Sequence, residues 1–139
     1  MSPFTREQVL ELLQSNTSLV GIDLGGANLE GIKMGGVNLN HANLWGANLT
    51  GSNLEGADLS GANLHFADLS RADLSNASLC EADLRGANLQ DANLCGADLS
   101  DANLKGANLH DANLNEAKLH HASLQWANLS GTGLKGVHL

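Results

Sequence analysis

The residues able to do chemistry in this chain of 139 are six histidines, two cysteines and fifteen carboxylates. Cys80 and Cys95 have no further cysteine partners, so they form neither a metal-ligand pattern nor a disulfide framework. His120 and His121 are adjacent, and neighbouring side chains of an extended backbone point to opposite sides, which makes a poor chelate. No nucleophile is matched to a base and an orienting acid in any recognisable motif. The glycines lack phosphate-loop spacing. These residues therefore predict no enzyme, no metal site and no cofactor.

What organises them is a repeat. From Leu19 to Leu139 every fifth residue is Leu, apart from Met34. Two residues before it stands Ala or another small or apolar residue. The residue immediately before it is Asn or Asp in 18 of 25 cases, and Gly is the commonest residue two after it. A five-residue step turns an α-helix by 140° net, which scatters the leucines around the axis and buries no face. An extended chain puts Ala and Leu, two apart, on one side, but the next Ala comes three later. The chain must therefore bend once per repeat to keep both inward. Asn, Asp and Gly accept such bends, so most carboxylates of the repeat serve the turns rather than a site. Bending the same way every five residues winds the chain into a coil with stacked Leu and Ala columns inside.

This A-(N/D)-L-x-(G/x) pattern resembles the pentapeptide repeat family over Leu19 to Leu139. The resemblance implies an all-β solenoid, a right-handed quadrilateral parallel β-helix with four repeats, or twenty residues, per coil. The repeat region then makes about six coils, and at roughly 4.8 Å between stacked strands the rod is about 29 Å long. The central residue here is never Phe, which the family also uses, so a uniform narrow Leu core is expected. Each buried Leu contributes about 1.5–3 kcal/mol gross, before conformational entropy is subtracted.

On a twenty-residue coil, side chains twenty apart share a column. His41 and His121 then lie four coils apart, and His120 and Cys80 two coils apart, too far to share a metal. Asp101 and His121 become neighbours, with Glu81 beyond, which makes a surface pair rather than a catalytic group. Cys80 and Cys95 follow the central Leu and are expected to face outward. One outward column carries Gly25, Trp45, His65, Arg85, Lys105 and Gln125; the corner beside it carries Phe66 and Trp126 among glycines. Trp45, His65, Phe66, Arg85, Lys105 and Trp126 are therefore the candidate interaction face, since exposed aromatics beside cations are typical of protein contacts.

The period fails only at the start. Residues 1–17 read as a capping helix and 18–139 as the repeat domain. Thr5 is a good N-cap with Gln8 three residues on, Phe4 can staple onto Val9, and Val9, Leu10, Leu12 and Leu13 make an apolar stripe. At the other end, "GTGLKGVHL" has no polar cap, and Leu134, Val137 and Leu139 are the candidate end of a symmetric homodimer. Some relatives dimerise end to end in this way.

The formal charge of −8 disfavours binding to nucleic acid or an anionic membrane. No basic n-region precedes an apolar run, and no apolar run reaches spanning length, so a cytoplasmic protein is expected. The resulting expectation is a non-enzymatic, rigid protein-interaction module with another protein as partner. The alternative, also implied by the resemblance, is a DNA mimic that binds DNA gyrase or another DNA-binding protein. Four threonines are too few for the regular ladder of an ice-binding surface.

Overall fold

The computed structural model describes residues 4–139; the first three residues of the expected N-terminal segment lie outside this range. One α-helix, α1 (Arg6–Gln14), precedes a right-handed quadrilateral parallel β-helix. Bridges pair each residue before the central Leu with the one twenty later, from Asp23 with Asn43 to Lys118 with His138, without a slip. Each side is so short that one residue per repeat bridges and the rest turn.

The backbone hydrogen bonds explain why each of the five positions prefers its residue type. Leu24 N–H donates to Asn43 C=O and Gly26 N–H to Trp45 C=O in the next coil. Asn43 N–H donates back to Ile22 C=O, and Ala27 N–H closes the corner onto Leu24 C=O. That corner is a four-residue turn with positive φ at its third residue, 68° at Gly26, which is a type II turn and favours Gly. In coils stacked on both sides, only the N–H after the central Leu lacks a main-chain partner. The side-chain oxygen of the Asn or Asp two residues earlier accepts it, as Asn63 Oδ1 does from His65 N–H. All 18 Asn and Asp residues at this position make that bond. Their amides also ladder between coils: Asn63 Nδ2 donates to Asn43 Oδ1, and Asn43 Nδ2 to Asp23 Oδ1.

Inside, the Leu and Ala columns from Leu24 to Ala117 form one continuous buried core, with Met34 and Ile32 fitting the same cross-section. Ser52 occupies an Ala position, and its hydroxyl is buried without a partner. α1 begins with Thr5 and Gln8 in a reciprocal capping box. Val9 is fully buried, Phe4, Leu12 and Leu13 pack against the core, and Arg6 reaches Glu30 C=O. Leu10, expected in the apolar stripe, instead faces outward, because it lies about 100° around α1 from the buried Val9. The opposite end is open. Leu114, Leu119, Leu124, Leu129, Leu134, Val137 and Leu139 line an apolar depression of about 340 Å³, with Leu134 47% and Leu139 86% exposed.

Candidate functional site

The histidines come together less than a metal site needs. Among the described residues no three or more His, Cys, Asp or Glu side chains are grouped to hold an ion. His121 Nδ1 lies 3.5 Å from Asp101 Oδ1, with both side chains exposed. One arrangement escapes the sequence: His110 Nε2 lies 3.2 Å from Asp111 Oδ2, and His110 Nδ1 lies 3.0 Å from Ser130 Oγ. Ser, His and Asp thus stand in line, but the hydrogen bonds give them another use. Ser130 Oγ donates to Asn128 Oδ1 at 2.6 Å, and His110 Nδ1 is also 3.0 Å from Ser130 C=O, an acceptor. Nδ1 therefore carries a proton toward that carbonyl and is no base for the hydroxyl. The group ties one coil to the next, and its side chains are about half exposed.

Cys80 and Cys95 are free thiols, but each is half-buried rather than fully outward. Burial pushes the Cys80 thiol upward, against a lowering contact from Ser78 and with Asp98 adding to the rise. That is the reverse of a reactive thiolate.

The aromatic side is where the structure makes a surface out of sequence candidates. Trp45 follows a central Leu and points out of its side; Phe66 takes the next coil's corner with φ of 59°. Their rings meet edge to face, with centroids 6.5 Å apart and planes at 79°. His65 lies over Phe66 with ring centroids 4.0 Å apart. Phe66 stays in place because Gly86, one coil on, has no side chain: a Cβ there stands 2.6 Å from the ring. Phe66 thus touches both other rings, and Trp45 remains 49% and Phe66 59% exposed beside a part-buried His65.

The other candidates divide. Arg85 continues the His65 column, but its Nε and Nη2 grip Asp83 at 2.8 and 2.6 Å, and the guanidinium holds that carboxyl below the usual carboxylate range. Lys105, a further coil on, forms no ion pair among the described residues. Trp126 is 85% exposed and three coils from Phe66, about 14 Å along the rod, so it stands apart from the cluster. The role of Gly86 depends on the residue twenty positions away, and that of Asp83 on Arg85 two positions on along the same side.

The neighbouring sides differ in charge. The side before the aromatic one carries Asp58, Glu81, Asp98 and Asp101 against Lys118, and the side after it carries Glu30, Asp68, Asp91 and Asp111 against Arg71. On the aromatic side Asp23 and Asp83 balance Arg85 and Lys105.

A one-residue bridge per side, a type II corner every five residues and a twenty-residue register define the class, a quadrilateral solenoid of five-residue repeats. The profile of pentapeptide repeats matches this chain in overlapping segments 17–56, 38–76, 62–101 and 97–136, and the chain belongs to the pentapeptide repeat family. Solved structures similar to it include HetL, a pentapeptide repeat protein involved in heterocyst differentiation regulation from the cyanobacterium Nostoc sp. strain PCC 7120. That similarity is 27% identity over 98% of this chain and 95% of that one, with a TM-score of 0.43. Rfr23 from the cyanobacterium Cyanothece 51142 is 34% identical over 93% and 91%, with a TM-score of 0.46. QnrB1, a plasmid-mediated fluoroquinolone resistance protein, is 23% identical over 86% of this chain and 66% of its own, with a TM-score of 0.41. No curated protein matches in sequence. No helix among the described residues is long and apolar enough to cross a membrane.

Proposed function

We propose that this chain is a non-enzymatic, rigid protein-interaction module whose contact surface is the aromatic side. The observation that carries this is the Trp45–His65–Phe66 cluster: Phe66 touches both other rings and is seated over a glycine, and Trp45 and Phe66 remain about half exposed. Rigid aromatic area needs little ordering on binding, which is what makes such residues anchors of protein contacts. Capture of a partner protein from cells of the source organism tests this. Trp45→Ala with Phe66→Ala should abolish a capture that the intact chain achieves, and equal capture by both overturns the reading.

DNA mimicry fits less well on magnitude. A duplex as long as this rod, about 29 Å, carries about 17 phosphate charges. The chain has a net charge of −8, with one side neutral and aromatic. A measurable competition with DNA for gyrase would restore that alternative.

The apolar end gives a second proposed contact, a symmetric dimer in which Leu134, Val137 and Leu139 of two copies cover one another. Light scattering at micromolar concentration should give twice the monomer mass, falling to the monomer mass with Val137→Lys and Leu139→Lys together. A monomer at the outset contradicts it.

A further inference from the structure

The aromatic cluster sits between two acidic sides, and that placement bears on the chemistry of its partner. Its own side is neutral, because Arg85 is spent on Asp83 and Lys105 offsets Asp23. Toward the preceding side the nearest corner column carries Glu81 and Asp101; toward the following side stand Asp68 and, at the far corner, Asp91. Glu81, Asp91 and Asp101 hold left-handed corners, with φ of 58–60°, and the corners are the parts of a coil that stand farthest out. A protein contact has a desolvated centre that supplies most of the energy and a wet rim whose charges set encounter and choice of partner. Here the centre is aromatic and uncharged, the preceding rim carries only carboxylates among its charged corners, and the following rim mixes Asp68 and Asp91 with Arg71.

We propose that the partner is a basic polypeptide surface, an apolar anchor flanked by Lys or Arg. The anchor rests on Trp45 and Phe66, and the cations reach Glu81 and Asp101 at the preceding corner. This rests on the interaction-module reading and adds the partner's charge. The −8 net charge acts in the same direction, drawing a basic partner in and turning an acidic one away.

The test uses the full chain carrying Trp126→Phe, so that Trp45 is the sole tryptophan emitter. Two Trp-free synthetic helical peptides serve as probes. Each has a Leu and Phe stripe; one has Lys and Arg flanking the stripe and the other has Glu at those positions. The basic peptide should shift Trp45 emission at low salt, and its affinity should fall at least tenfold between about 50 and 500 mM salt, as expected for charge-steered contacts. Phe66→Ala should weaken it at least tenfold, and Glu81→Lys with Asp101→Lys at least fivefold without a change in the circular dichroism spectrum. If the acidic peptide binds as well as the basic one, or salt and the Glu81 and Asp101 changes have no effect, the basic-partner inference fails while the aromatic contact surface stands. If neither peptide perturbs Trp45, or binding survives Phe66→Ala, both fail.

Discussion

The stretch up to Gly61 and the stretch from Phe66 onward are built from the same repeat and differ at their corners and ends. From Gly21 to Gly61 every left-handed corner is glycine except His41. From Phe66 to Trp126 only Gly86, Gly96 and Gly106 remain, and the other corners carry aromatic, charged or amide side chains in the left-handed conformation. An L-residue there costs roughly 1–2 kcal/mol, less for Asn and Asp. The first coils thus have relaxed corners and a helix over their end, whereas the later ones carry strained, decorated corners and an open apolar end. The lesson is that the Leu columns allow this asymmetry: a core that stacks coil on coil keeps its register while the corners change. The aromatic cluster lies at the junction, Trp45 among glycine corners and Phe66 the first residue of the decorated series.

The largest expected difference is between one substitution made in two places. Leu84→Asp puts an unpaired charge into the fully buried column and should cost several kcal/mol, enough to unfold the chain, as read by loss of its circular dichroism signal. Leu134→Asp, at 47% exposure in the open end, should leave the rod folded with a loss of about 1 kcal/mol. Equal effects would remove the distinction between closed stack and open end. Next in size is Asn63→Ala, which strips the acceptor from His65 N–H and the donor to Asn43, and should cost about 1–3 kcal/mol by denaturant unfolding. Asn128→Ala, in the last coil with a neighbour on one side only, should cost less than Asn63→Ala.

The corners make opposite predictions in the two halves. Gly46→Ala meets no atom within 4 Å, so its cost, about 1 kcal/mol, comes only from φ of 61°. Arg71→Gly relieves the same conformation and should be neutral or stabilise by up to about 1 kcal/mol. Ser52→Ala removes the buried hydroxyl without a partner and should raise stability by about 1 kcal/mol.

The inward Leu and Ala columns and the capping box are legible because each follows from local spacing, whereas the twenty-residue register is what the family resemblance implies and period five alone leaves open. The Asn and Asp preference was legible as turn chemistry, but its specific cause, the one N–H per repeat without a main-chain acceptor, needed the ladder to be counted. The Arg85–Asp83 pair was missed because both point outward from one side, where a two-residue separation allows contact that the column picture leaves out. Trp126 shares the aromatic side with Trp45 and Phe66, but the same column count puts it three coils from Phe66, outside the cluster. Ser130, His110 and Asp111 line up only because Ser130 lies one coil from His110.

The smallest expected effect is on acid stability. The Arg85 guanidinium lowers the Asp83 carboxyl, and the Ser60 hydroxyl and N–H lower that of Asp58. A carboxyl whose folded pKa lies below its unfolded value near 3.9 contributes stability above about pH 4 that is lost as pH falls through the folded value. The melting temperature should therefore drop below pH 4, and Asp83→Asn should flatten part of that drop. A melting temperature that holds steady or rises on acidification contradicts the assignment.

The central claim is that a rigid rod presents a preassembled aromatic surface, and amide hydrogen exchange read residue by residue tests it most directly. Gly46 N–H, bonded to His65 C=O, and Phe66 N–H, bonded to Arg85 C=O, should exchange only through global unfolding, at the same free energy as buried Leu64. Amides of the last coil, such as Val137, should exchange orders of magnitude faster. If Gly46 and Phe66 instead exchange as fast as Val137 while Leu64 stays protected, the aromatic side is not preassembled and the account is wrong.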